Sequence, residues 1–443
     1  MSAPTGLSAK SESALARADR AVVVAALSRL PISGSETWLA PGNVYFHSAG
    51  ERVLADGKVV PPAQHAEFAD YLAAASFIHS ADSWAYLGRA LHAVLQGDVH
   101  GAVHLCYYAE LRAAISLLST EGIYIGNRCT LALTGTDAVE VTLAGTHVAA
   151  WMVLDSWARS ARAQDLIGRV LRPIGAPLHE WANNMGSGIQ PIVEGLLNDI
   201  AFDLSAFSED RSRRNNVSYQ PTRVEPDDLS AEDSARIADD VWTLLEPESR
   251  GTFPVLDRLL FRHLAVGVFA PTHEEVDSDG MPTGRTDWSD WSAWLDSVAP
   301  GGVERDPYFV SIRDEPEDAS RDAALDAAFT RNYGAPTTYL REMILRTTLL
   351  ARLSTGACVE LLDDSGLAAD DVTTWVIGLG EARALWSGGA PAPMVDLWAD
   401  AEAAKEELEL TSKTSHHALI QGMREYLAVL GQAERVAAWS FAS

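Results

Sequence analysis

The 443-residue sequence predicts a predominantly all-α protein with a small β-hairpin insertion and a C-terminal helical region. Three observations lead there. Apolar residues recur at helical spacing along most of the chain, and Ala- and Leu-rich segments dominate a composition that is 47% hydrophobic. The shorter period typical of strands is confined to one stretch. A chain of this length is expected to form two domains, or three.

From about Ala63 to Leu118 the pattern reads as two long helices. The first carries Phe68, Tyr71 and Leu72, then, past a break near Ser80, Trp84, Leu87, Leu91 and Leu95. Gly97 ends it and Asp98 caps the next. That second helix spreads Val103, Leu105, Cys106, Leu111, Ala114, Ile115 and Leu118 around most of its circumference, which predicts a central, buried element. From Ile123 to Leu143 the period shortens around the turn-like Thr134-Gly135-Thr136-Asp137, so one β-hairpin is expected there. Helices are expected again at Thr146 to Ser160, near Ala161 to Val170, from about Gln190 to Ser208, and at Ala231 to Leu245.

Between Glu274 and Asp318 thirteen acidic residues face three arginines, with Trp288, Trp291 and Trp294 at near-helical spacing. This predicts a long surface excursion whose indole face docks on the body rather than forming a ligand cage. Helices return from Ala323 onward, clearest in the run from Tyr339 to Leu353, around Trp375 and from Pro393 to Leu410.

The 61 acidic against 34 basic residues leave a net charge of −27, which repels nucleic acid at long range and argues against a general DNA coat. The N-terminal twenty residues lack the apolar core of a secretory signal, and no stretch reaches the ~18 to 20 apolar residues of a membrane span. Cys106, Cys129 and Cys358 are widely spaced and odd in number, as expected of buried thiols in a reduced compartment. A cytoplasmic protein without a membrane association is the expectation.

There is no phosphate-binding glycine loop, no Cys-x-x-Cys and no HExxH, so nucleotide hydrolysis, structural zinc and zincin chemistry lack their signatures. His100 and His104 share a helix face without an obvious third metal ligand, and read as packed or capping histidines. His416 and His417 diverge as surface residues. No cofactor or metal is expected. The most unusual local composition is Arg211 to Asp228, which gathers arginines in an acidic chain. Within it Arg213, Arg214, Asn215 and Tyr219 form a candidate phosphodiester site: guanidinium groups bind phosphate in a bidentate way and stabilise a pentacoordinate transition state, and Asn can orient an oxygen. Tyrosine, with an ordinary pKa near ~10, is a poor general base unless an arginine lowers it. The competing reading is a helix terminus whose arginines pair with Glu209 and Asp210.

A helical chain in which Arg214-Asn215 is followed by three residues and then Tyr219 resembles the HEPN superfamily, whose motif is Arg, often with Asn after it, four to six residues, and then His. Some HEPN toxins paired with nucleotidyltransferases carry Tyr at that place. The helix from Tyr107 to Ala114 and the helix start Gly145-Thr146-His147 are similar to bacterial YaaC-like and defence-associated proteins. The resemblance covers about Ala63 to Leu245. It divides the chain into an N-terminal extension (1–62), a HEPN-like helical bundle (63–246), an acidic Trp-containing connecting region (247–322) and a C-terminal helical region (323–443).

The resemblance implies a metal-independent endoribonuclease of an antiphage or stress-defence system, acting as a homodimer with its motifs facing each other. Arg213 and Arg214 would hold the scissile phosphate of RNA, Asn215 would orient it, and Tyr219 would replace His as proton shuttle or position the RNA. Glu110, Arg112 and His147 would support the site, with Glu110 and Arg112 expected as a polar pair on the central helix. The alternative is a catalytically inert helical subunit that assembles with protein partners from the same system. A third reading is a sensor of a small nucleotide or phage protein in the C-terminal half.

Overall fold

A turn closed by Gly97, at φ +75°, reverses the chain between two long helices, and Asp98 caps the second by accepting the Gly101 amide at 2.8 Å. The computed structural model describes residues 6–35, 37–185, 215, 229–248, 253–276, 281–315 and 336–442. It is mostly helical, 66% helix against 6% strand.

Three short helices, α1 (Ala9–Leu15), α2 (Arg20–Leu27) and α3 (Ala49–Ala55), lead into α4 (His65–Leu95) and α5 (Val99–Thr120). The Ser83 hydroxyl donates to Ala109 O at 2.9 Å and Ser116 to Ser76 O at 2.7 Å, which fixes α4 and α5 as an antiparallel pair. The expected break near Ser80 is absent. Ser80 is buried inside an unbroken α4 because its hydroxyl, 3.0 Å from Thr355 Oγ1, finds its partner on a helix far along the chain.

The strands β1 (Ile123–Gly126), β2 (Cys129–Leu133) and β3 (Ala138–Thr142) form an antiparallel meander, so the expected hairpin gains a third strand. The turn at Thr134 to Asp137 joins β2 to β3, with Thr134 N donating to Asp137 O at 2.7 Å. The next helices are α6 (Thr146–Ala158), α7 (Ala161–Val170), α8 (Leu178–Asn184), α9 (Ala231–Leu244) and α10 (Pro254–Phe269). A β4–β5 ribbon (Glu274–Val276, Pro282–Thr286) then precedes α11 (Trp291–Val298) and α12 (Pro307–Asp314).

The C-terminal part contains α13 (Pro336–Asp364), α14 (Ala369–Ala382), α15 (Leu397–Leu410), α16 (His416–Gly422), α17 (Leu427–Leu430) and α18 (Glu434–Phe441). Helix α13 completes the centre. Cys106 and Ser116 of α5 meet Thr347 and Cys358 of α13 in the same order, so these two helices run parallel. The Trp84 indole, fully buried on α4, donates to Thr355 at 2.8 Å. A buried indole N–H that keeps its bond adds orientation to the large area the ring removes from water. Gly88 lets the turn before α18 close on α4, since a Cβ there would sit 2.6 Å from Ala433 N.

The tryptophan stripe joins a second, smaller core. Trp291 is fully buried, donates to Ile312 O at 2.8 Å, and shares this core with Trp181, Phe261, Phe269 and Phe309. Trp288 and Trp294 are half-buried around the Phe269 ring. Docking of the stripe is therefore as expected, whereas the surrounding segment, read as a surface excursion, is folded around it. The three cysteines are buried and unpaired with one another. No described helix is long and apolar enough to cross a membrane.

Candidate functional site

Of the four motif residues, Arg213, Arg214 and Tyr219 lie outside the described residues. Asn215 is helical and half-buried. The supporting residues are described in full, and they separate. Positions 110 and 112 point to different faces of a helix. Glu110, fully buried, lies 3.3 Å from the Thr347 hydroxyl on α13, whereas Arg112 turns to α4 and donates from Nη1 to His79 Nδ1 at 2.8 Å. The expected Glu110–Arg112 pair does not form.

Arg112 and His147 come together instead. The first turn of α6 packs against α5 so that Tyr108, Leu111, Arg112 and Ile115 from one side, and Gly145, Thr146, His147 and Val148 from the other, line a cavity of about 480 Å³. Asn127, exposed at the tip of the β1–β2 turn beside Arg128, closes the third side. Arg128 adopts φ +54°, the left-handed conformation that a two-residue turn demands, and its amide donates to Ala144 O at 3.1 Å. The strand insertion thereby holds Asn127 against the start of α6.

The electrostatics of this cavity point one way. Gly145 is the N-cap of α6 and supplies no side-chain cap, so the positive end of the helix faces the cavity mouth. Arg112 is half-buried and its bond to His79 is to an imidazole; among the described residues no carboxylate pairs with it. A guanidinium withdrawn from water normally carries an anionic partner. Burial and the adjacent Arg112 push the His79 pKa down to about 4, with Asp82 offsetting part of the fall. The imidazole is therefore neutral near pH 7 and contributes no compensating charge of either sign. An arginine, a helix N-terminus and a carboxamide converging on one cavity suit a phosphate or similar oxyanion.

The His147 ring is held through Nδ1, 3.0 Å from the Tyr107 hydroxyl, and packs with Tyr107 and Tyr108 at centroid distances of 5.6 and 6.0 Å. An imidazole can both accept and donate a proton. Among the described residues no group of three His, Cys, Asp or Glu side chains is arranged to hold a metal ion, and His104 instead packs on Tyr108 at 5.0 Å.

Sequence reasoning named Arg112 and His147 as supports but missed His79 and Asn127. The signal for His79 was faint: a histidine and an arginine on two neighbouring helices, each in an otherwise apolar setting. No protein-family model matches the sequence, and no curated protein or solved structure matches it.

Proposed function

We propose that the cavity between α5 and α6 binds the phosphate of RNA and that the protein is a HEPN-like, metal-independent endoribonuclease of a bacterial antiphage or stress-defence system. One observation carries the reading: Arg112 lines the cavity without a carboxylate partner among the described residues, in a chain of net charge −27. The two segments similar to YaaC-like and defence-associated proteins, 107–114 and 145–147, also supply opposite walls of this cavity.

In this reading Arg112 and the α6 N-terminus neutralise the scissile phosphate, and Asn127 orients one of its oxygens. His147 takes the proton of the ribose 2′-hydroxyl as that oxygen attacks phosphorus. Water protonates the leaving 5′-oxygen as the P–O bond breaks, giving a 2′,3′-cyclic phosphate and a 5′-hydroxyl, and His147 returns the proton it took to solvent. His147 thus provides the imidazole that the Arg214 to Tyr219 segment lacks. Arg213, Arg214 and Asn215 bind the flanking phosphate, with a homodimer bringing two such segments together. Removing one charged donor from such a transition state costs on the order of 100-fold or more in rate.

The test is incubation of labelled tRNA and total RNA, in EDTA, with the intact protein and its Arg112→Leu, His147→Gln and Arg214→Ala variants. Cutting that leaves cyclic-phosphate ends and falls at least about 100-fold in Arg112→Leu and His147→Gln agrees with the proposal. Cutting that survives both substitutions contradicts it.

The second reading is an inert helical subunit that assembles with protein partners. It is favoured by the acidity of the chain and by arginines that are neutralised within the fold, as at Arg352, whose carboxylate partner Asp257 lies 2.7 Å away. Absence of cutting with partner proteins supplied would select it.

A further inference from the structure

A strip of cations and aromatic rings runs from the Arg112 cavity along α4 and α5. Positions 79, 82, 86 and 89 follow at three- and four-residue steps and so share one face of α4. His79 meets Arg112 at the cavity end. Asp82 comes next and is answered by Arg383, which follows α14 and donates from Nη2 at 2.8 Å. Tyr86 stacks on Tyr108, itself part of the cavity wall, with centroids 5.7 Å apart and planes 29° from parallel. Both tyrosines are half-buried, so part of each ring faces solvent. Arg89 ends the strip, exposed, its guanidinium carbon 5.6 Å from the Tyr86 centroid. From His79 to Arg89 the helix rises about 15 Å.

The charge along this strip opposes that of the chain. Among the described residues no carboxylate lies within ion-pair distance of Arg89 or Arg112, and Asp82 is taken by Arg383. Glu434, at the start of α18, is a carboxylate that feels Arg89. It is 7% exposed, and burial raises its pKa against the pull of a backbone hydrogen bond and of Arg383, Arg89 and Arg435, which disfavours its charge. Three arginines and a neutral imidazole thus stand against one surface carboxylate, in a chain of net charge −27. Local reversal of sign is what an acidic protein needs in order to hold a polyanion.

We propose that the strip is the track of a single-stranded RNA: with one phosphate at Arg112, the strand runs along α4, a base stacks against the Tyr108–Tyr86 pair, and Arg89 takes a further phosphate. The inference rests on the reading of the Arg112 cavity as a phosphate site and adds the strandedness of its substrate. Stacking on an aromatic side chain needs a base face, which a duplex keeps inside its own stack and a single strand exposes. A guanidinium serves either partner, lying flat on a base or forking onto a phosphate. A polyanion without rings would use the arginines and leave the tyrosines idle. The track binds RNA whether or not the strand is cut.

The test is fluorescence anisotropy of a short, labelled, 2′-O-methylated oligouridylate, which lacks the attacking hydroxyl, titrated with the intact protein and its Tyr86→Leu and Arg89→Gln variants over a range of salt. Tyr86→Leu keeps apolar bulk and deletes the π-face. The expected result is affinity at least about fivefold weaker in Tyr86→Leu. In Arg89→Gln it should be at least about threefold weaker, with the slope of log affinity against log salt smaller by about one. Inorganic phosphate, which reports on the Arg112 cavity, should bind both variants as it binds the wild type, showing that they are folded. Inorganic polyphosphate should be weakened by Arg89→Gln and not by Tyr86→Leu. Oligonucleotide affinity unchanged in either variant, or an RNA duplex binding as tightly as the single strand, overturns the track while phosphate binding leaves the cavity standing. A wild type that binds neither oligonucleotide nor phosphate overturns both.

Discussion

Two cavities of the molecule, a larger one and the one at Arg112, differ in how they treat their arginines. The larger, about 860 Å³, is lined by Arg172, Arg258 and Arg352, and each is answered by carboxylates of the same cavity. Arg352 makes a two-point contact with Asp257, Nε to Oδ1 at 3.0 Å and Nη2 to Oδ2 at 2.7 Å, while Phe253 covers its flat face at 4.5 Å. Asp257 also accepts the Arg172 amide at 3.0 Å, and the Arg172 side chain reaches Glu360 at 3.1 Å. Arg258 pairs with Glu248. A cation neutralised within the fold joins helices; a cation left without a carboxylate at a cavity wall is available to a ligand.

The sharpest way to break this comparison is to remove one arginine from each cavity. Arg352→Leu strands Asp257, only 4% exposed, without its counter-ion, and should lower the unfolding free energy by about 3 to 5 kcal/mol in denaturant melts. Arg112→Leu strands no carboxylate and should change stability by less than about 1 kcal/mol. Equal losses in the two variants would erase the distinction.

A smaller effect comes from His79, whose pKa is pushed down to about 4 from an ordinary value of 6.5. The unfolded chain takes up a proton at higher pH than the native protein does. Stability from this group is therefore complete above pH ~6.5 and declines as pH falls toward 4. Because the side chain is partly exposed, the loss should be on the order of 2 kcal/mol, less than the full shift implies. Melts of His79→Phe against wild type across that window should show a shallower acid-side slope in the variant.

The smallest effect belongs to Arg29, half exposed and 2.8 Å from Asp70. Burial raises the Asp70 pKa despite the arginine beside it, so the ion pair falls short of offsetting the carboxylate's desolvation. Arg29→Ala should cost less than about 1 kcal/mol, and high salt should narrow the difference further.

Much of the helical framework was legible because its signals are local. Gly97 with Asp98 marked the α4–α5 turn, the periodic residues of α6, α7 and α9 marked their helices, and the tryptophan spacing marked a docked face. What was not legible depends on distant partners. Ser80 looked like a break because a hydroxyl in an apolar helix gives no hint that Thr355 will meet it. The extra strand of the meander is β1, Ile123 to Gly126, missed because the two-residue turn at Asn127 and Arg128 falls inside what reads as one arm of the hairpin. Arg112 and His147 were named from the sequence, yet the reason they matter is tertiary: His79 takes the Arg112 bond, and the β1–β2 turn brings Asn127 to the start of α6. Glu110 was grouped with Arg112 because the two are near in sequence, although on a helix they face apart. The Arg213, Arg214 and Tyr219 part of the motif lies outside the described residues, so the site rests on Arg112, Asn127 and the start of α6.

The claim that Arg112 is held for an anion is tested most directly by calorimetric titration of inorganic phosphate into wild type and Arg112→Leu at low ionic strength. The account predicts saturable binding to the wild type, at least tenfold weaker in the variant, with both proteins equally folded. Absence of binding to the wild type, or equal binding to both, would contradict it.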